Sequence, residues 1–335
     1  MRHIWPLVLI SILWPYQVFS TPIEILVPAY ANPCCKHGPA MWTSLISAAS
    51  NSAVNIGLIL NPASGPGTIT DSNFINSEGK GALADFRNAG GNVYGYVPTN
   101  FAARSQSDVR ADVDKYYDTL YPGQVDGIFF DEMSNDLANV GYYQSISDYV
   151  HAKDSSDLVI SNPGTSFVND RSSRTRYSVL DYASSADVLV TFENTGAEYL
   201  DNYTPASWVN EFDADHFAHI IHTQADWSID LVDLAIARNA GFVYFSDDSL
   251  PNPYDKLAAH WDQQVSDIAS RNAAVVPLPG SFYLLLSALA SLGASGRIRP
   301  SPVGARAIGD PAGRKVTAEI AGCGAGVATA SYSYP

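Results

Sequence analysis

Eight short apolar runs separated by stretches of helical length constrain this chain more than any other feature. They are IEILVPAY (23–30), VNIGLILN (54–61), NVYGYVPT (92–99), VDGIFFDE (125–132), DLVISNP (157–163), DVLVTFEN (187–194), FAHIIHT (217–223) and GFVYFSDD (241–248). Runs that are apolar at successive positions suit strands buried on both faces, which is the condition of a parallel sheet covered by helices. Helical stretches are predicted over 40–50, 78–89 (ending at Gly90 and Gly91), 105–120, 141–152, 228–239 and 254–271. Eight such strand-then-helix units predict an α/β fold, a (β/α)8 TIM barrel in one domain over residues 21–272. A doubly wound open sheet is the alternative, but no G-x-G-x-x-G follows the first run. The 46% hydrophobic content is enough for a core of that size.

In a barrel of this kind, functional groups stand where strands end. Polar residues gather there: Tyr30 and Asn32, Asn61, Thr99 and Asn100, Asp131 and Glu132, Asn162, Glu193 and Asn194, His222 and Thr223, Asp247 and Asp248. Alternation along a strand separates adjacent side chains. Asp131 then shares a face with Val125, Gly127 and Phe129, and Glu132 falls at the rim or curls in where the strand breaks. In the sixth run, alternation puts Leu189, Thr191 and Glu193 on one face and Val188, Val190 and Phe192 against the helices. Asp131 and Glu193 are therefore expected to converge on the mouth.

Two carboxylates across a cleft are the minimal equipment for glycoside hydrolysis, one protonating the leaving oxygen and the other attacking the anomeric carbon or activating water. Tyr30, Tyr94, Tyr96, Trp208, Trp227 and Tyr244 offer apolar faces for sugar rings, and Tyr30, Asn162, His222 and Asp247 sit where substrate would be held. The histidines of HFAHIIH (His216, His219, His222) recur every third residue, but a strand splits them between two faces, so no metal site is expected. No nucleophile elbow, phosphate loop or zinc spacing is present, and no cofactor is expected.

Net charge is −15, from 34 acidic against 19 basic residues, which argues against nucleic acid or anionic lipid as partner and suits a neutral or cationic one. A basic start at Arg2 and His3, an apolar stretch from Ile4 to Trp14 and smaller residues near Ser20 predict a secretory signal peptide over 1–20. Cys34 and Cys35 are adjacent, so a bridge between them is vicinal, and Cys323 lies far off in the tail. Near the other end, VVPLPGSFYLLLSALASLGASGRIRP (275–300) joins a Pro-containing turn, an apolar stretch from Phe282 to Leu292, and Arg297 and Arg299. This resembles the bacterial PEP-CTERM sorting signal, here assigned to 273–299, which implies processing by an exosortase and a place in the cell envelope. The Gly-, Ala- and Ser-rich composition of the tail, 300–335, predicts disorder.

The ordered motifs LVPAYANP, LILNPASGPG, VYGYVPTNFAAR, VDGIFFDEMSND, SNPGT, VLVTFENT, FAHIIHT and GFVYFSDDSLPNPY resemble the spherulin-4-like proteins, over residues 23 to 262. These are grouped as glycoside hydrolase family 135 and related to the family 114 endo-α-1,4-polygalactosaminidases. Ala29 stands where many relatives have Gly, and CCKHG replaces the usual loop after the first strand. The resemblance implies a barrel that cuts galactosamine- or N-acetylgalactosamine-containing exopolysaccharide. It puts Asp131, Glu132 and Glu193 in the catalytic positions and Tyr94, Tyr96, Asn32 and Asn61 along the cleft. The expected assignment is Glu193 as acid/base, Asp131 as nucleophile or water activator, and Glu132 tuning the pair; exchanged roles and either stereochemical outcome stay open. A monomeric surface protein of the same fold that binds polysaccharide during biofilm or capsule assembly without cutting it is the alternative.

Overall fold

The structure, a computed structural model, describes residues 22–170 and 177–275. The leader, the sorting segment from residue 276 on and the tail expected from sequence lie outside the described residues.

Eight parallel strands close into a barrel in sequence order. They are β1 (Glu24–Ala29), β2 (Ile56–Leu60), β3 (Asn92–Pro98), β4 (Gly127–Asp131), β5 (Leu158–Ser161), β6 (Val188–Thr195), β7 (Phe217–His222) and β8 (Phe242–Phe245). Between them run α1 (Gly38–Ala49), α2 (Ala82–Asn88), α3 (Gln106–Asp114), α4 (Val140–His151), α5 (Val179–Ala183), α6 (Gly196–Asp201), α7 (Asp230–Ala237) and α8 (Trp261–Val275). A turn of π-helix, Lys115–Thr119, extends α3. The expected TIM barrel is the observed one, and its strands are almost wholly buried because helices cover the outside while side chains fill the inside.

Partners in a parallel ladder point the same way, so the register fixes which residues face the axis. Leu26, Gly57 and Asn92 share one level, then Pro28, Ile59 and Tyr94, then Tyr96 with Phe129 and Ile160, and above them Pro98 with Asp131. Tyr94 fills the lower barrel: a Cβ on Gly57 would meet its ring at 2.8 Å, which explains the glycine in an otherwise bulky strand. Gly127 starts β4 at φ +145°, where a Cβ would lie 2.0 Å from the Leu158 carbonyl oxygen.

β6 departs from simple alternation. Val190 pairs with Ala218 and Glu193 with Ile220, so three residues of β6 span two of β7. Thr191 is the extra residue of a bulge, and the Tyr203 hydroxyl donates to its carbonyl oxygen at 3.1 Å. The expected faces are corrected accordingly. Val188 and Val190 face the axis with their partners Ile160 and Ala218, and Leu189 faces the helices with Phe217. Glu193 still points inward, because the bulge restores its phase.

The two ends of the domain meet at the N-terminal face of the barrel. Asn272 in α8 accepts from the Ile23 N–H at 3.0 Å and donates to the Ile23 and Ala53 carbonyls at 2.8 and 3.2 Å. No helix among the described residues is long and apolar enough to cross a membrane.

Candidate active site

The C-terminal face carries a cleft of about 800 Å³ lined by Tyr30, Asn61, Asp131, Asn162, Glu193 and His222 from the strand ends, with Leu250–Tyr254 as one wall. At its floor Asp131 ends β4 and Glu193 lies near the end of β6. Asn162, just beyond β5, stands between them. Its Nδ2 donates to Asp131 Oδ1 at 2.8 Å and to Glu193 Oε2 at 2.6 Å. Its Oδ1 accepts from the Gly164 N–H at 2.9 Å, and this backbone tie turns the amide so that the NH2 faces the acids. The two carboxylate oxygens can thus be no farther apart than those two hydrogen bonds laid end to end.

Each carboxylate also takes one tyrosine hydroxyl. Tyr96 donates to Asp131 Oδ2 at 2.6 Å and Tyr254 donates to Glu193 Oε1 at 2.7 Å. Glu193 is raised above the usual carboxylate range, first by burial and then by the charge of Asp131, while the bonds from Asn162 and Tyr254 oppose the rise. Burial and the neighbouring carboxylates push the Tyr30, Tyr96 and Tyr254 hydroxyls well above their ordinary value. All three hydroxyls stay neutral, and those of Tyr96 and Tyr254 act as donors. Among the described residues no Lys or Arg lines the cleft.

Other residues expected at the site go elsewhere. Glu132 sits in the left-handed region at φ +55°, with its Oε2 accepting from the Asn100 N–H at 3.1 Å and its carbonyl from the Phe101 N–H at 2.8 Å. It braces the loop after β3, whose Asn100, Phe101 and Ala102 are all left-handed too. Asn32 donates to Asp71 Oδ2 at 2.6 Å and accepts from the Cys34 N–H at 3.1 Å, in a loop where Cys34 and Cys35 form a vicinal disulfide. Asp247 accepts from the Ala259 N–H at 3.0 Å and is not among the cleft residues. Asn61 does line the cleft, its Oδ1 accepting from the Gly65 N–H at 2.9 Å.

Most of the aromatics expected to meet sugar belong to the core. Tyr94 and Tyr244 are buried inside the barrel, Trp208 donates to the Ser166 carbonyl, and Trp227 donates to Asp267 and stacks on His260. The three histidines part company, as a strand requires. His216 bonds the Ala183 carbonyl, His219 bonds the Tyr199 hydroxyl with its pKa pushed down to about 3 by burial, and His222 meets Thr223 Oγ1 at the cleft. Among the described residues no group of three or more His, Cys, Asp or Glu is placed to hold a metal ion.

Tyr254 is the site residue that strand-end reasoning misses. The helix expected over 254–271 begins instead at Trp261. Pro251 and Pro253 supply no N–H, and the Tyr254 carbonyl accepts from the Tyr30 N–H at 3.1 Å, so this segment is held to β1 as the cleft wall. The Pro-rich run before Tyr254 is the signal that could have marked it as wall.

Comparisons with known proteins agree with the barrel fold. The profile of spherulation-specific family 4 matches residues 24–268. Spherulin-4 of Physarum polycephalum is 31% identical over 265 residues, which cover 76% of this chain and 72% of that protein. The crystal structure of Aspergillus clavatus Sph3, solved in complex with GalNAc, superposes with a TM-score of 0.57 at 23% identity, covering 75% of this chain and 99% of that one.

Proposed function

The chain belongs to spherulation-specific family 4, and from that premise we propose that it is an exported glycoside hydrolase cutting galactosamine- or N-acetylgalactosamine-containing exopolysaccharide with Asp131 and Glu193. One observation carries this reading: two carboxylates bridged by a single amide nitrogen at the floor of an open cleft with no Lys or Arg among its described lining residues.

The bridge supports a retaining route. Oxygens 2.8 and 2.6 Å from one nitrogen can be no farther apart than the two bonds end to end, which places them at or within the ~5–5.5 Å separation that lets a carboxylate reach the anomeric carbon directly and short of the ~6.5–9.5 Å that leaves room for water. Glu193, with its raised proton affinity, gives its proton to the glycosidic oxygen as that bond breaks, while Asp131 attacks the anomeric carbon from the other face. Glu193, now ionised, then takes a proton from water, whose oxygen displaces Asp131 and releases the sugar with its original anomeric configuration. Glu132 acts on the loop after β3 rather than on the reacting atoms.

An acidic cleft favours a neutral or cationic sugar and repels uronic acids. The N-terminal leader and the 273–299 segment read in the sequence support export and attachment at the cell envelope, with an exosortase as processing partner. The test is reducing-end release by the purified protein from α-1,4-linked galactosamine polymers, fully, partly or not acetylated, beside a Glu193→Gln variant. Release by the parent alone is expected, with the first anomeric signal in NMR matching the substrate's configuration. Tight binding without release from any polymer would replace the hydrolase with a polysaccharide-binding surface protein.

A further inference from the structure

The carboxylate pair is served by two tyrosines that the geometry keeps separate. Tyr96 comes from β3, stacks on Phe129 with centroids 6.2 Å apart, and reaches only Asp131. Tyr254 comes from the wall after β8 and reaches only Glu193. Tyr30 stands between them, its ring edge-on to Tyr96 at 5.8 Å and to Tyr254 at 5.6 Å. The Tyr254 backbone is fixed as well, since the Tyr30 N–H bonds its carbonyl and the Ser246 hydroxyl donates to the preceding Pro253 carbonyl at 2.8 Å.

We infer that Tyr96 and Tyr254 are a divided pair of positioning residues for the hydrolysis proposed above, on which this inference rests: Tyr96 aims Asp131 and Tyr254 aims Glu193. One oxygen of each carboxylate is tied to Asn162 and the other to its own tyrosine, so neither group can rotate, and lone pairs remain for substrate. A hydroxyl donor favours the ionised form of the group it serves. Because the donors are not shared, removing one disturbs one protonation step of the reaction. Asp131 must be ionised to attack, so Tyr96 governs the acidic limb of the pH profile; Glu193 must carry a proton to begin, so Tyr254 governs the alkaline limb.

The experiment compares kcat/KM against pH for the full chain and for Tyr96→Phe and Tyr254→Phe, which keep the rings against Tyr30 and remove only the hydroxyls. Tyr254→Phe should move the alkaline limb up by about one pH unit and leave the acidic limb in place. Tyr96→Phe should move the acidic limb up by a similar amount, leaving the alkaline limb. In both, kcat should fall about tenfold with little change in KM. Bells lowered without displacement, or both variants moving the same limb, would overturn the division; limbs exchanged between the variants would overturn the assignment of acid and nucleophile. Should the parent cut no polymer, the ties can still be read by carboxyl 13C NMR titration. A Glu193 midpoint that rises in Tyr254→Phe and stays put in Tyr96→Phe supports the division, and a midpoint unmoved in both overturns it.

Discussion

Strands β4 and β6 each have one acid at their foot and another near their head, and the two ends treat the same functional group in opposite ways. At the foot, Asp126 pairs with Arg87 and accepts from the Val93 N–H at 2.8 Å. Asp187 likewise meets His151 Nε2 at 2.8 Å and accepts from the Val159 N–H at 2.7 Å. At the head, the donors to Asp131 and Glu193 among the described residues are neutral, the hydroxyls of Tyr96 and Tyr254 and the amide of Asn162. The foot acids close the barrel by tying neighbouring strands to a cation or imidazole. The head acids are held as firmly, but no Lys or Arg among the described lining residues compensates them, and Glu193 is kept proton-hungry.

The strongest way to break this contrast is a third charge at the head. Asn162→Asp removes the shared donor and sets a carboxylate beside two others; kcat/KM on a galactosamine polymer should fall about 10³-fold, with circular dichroism showing the barrel still folded. At the foot, Asp126→Asn loosens the tie to Arg87 and should lower stability in urea by about 1–3 kcal/mol, while kcat/KM stays within about twofold of the parent. A foot variant that lost activity with its stability intact would erase the distinction between the two ends.

Acidity sharpens the comparison further. Glu193 is raised in the folded state by burial and by Asp131, so the folded chain keeps a proton that the unfolded chain gives up near 4.5. The stability this group contributes is complete below that pH and is lost as pH rises through the folded-state value. Glu193→Gln has no such titration, so its melting temperature should gain on the parent's as pH climbs from about 4 to about 8; a constant difference would mean that Glu193 is not held in this state. The smallest effect is ionic. Raising salt from about 0.05 to about 0.5 M should weaken binding of deacetylated polymer several-fold and leave the fully acetylated form nearly unchanged.

Periodicity made the barrel legible. Eight apolar runs mark the eight strands to within a few residues, because strands buried on both sides must be apolar throughout. The head acids were legible for the same reason, as abrupt polar endings to such runs. What stayed hidden depends on chain segments distant in sequence. The bulge at Thr191 carries no local mark, yet it changes the face of every β6 residue before it. Tyr254 looked helical, since what holds that stretch as wall is its bond to Tyr30, the tie from Ser246 to Pro253 and the two prolines before it. Alternation separated Glu132 from Asp131 but could not show that a left-handed backbone makes Glu132 a brace for the loop after β3. Short helices at α5 and α6 escaped notice because five or six residues are too few to show a helical period.

The Asn272 clasp settles how this domain can be handled as an object. By binding both Ile23 and Ala53 in the turn before β2, Asn272 brings residues 22 and 275 out on one side, while the cleft opens on the other. A bead, a fusion partner or a lipid anchor joined at either end would leave the mouth facing the bulk solution, where a long polymer can thread it without colliding with the support. The geometry of attachment is thereby independent of which end is chosen.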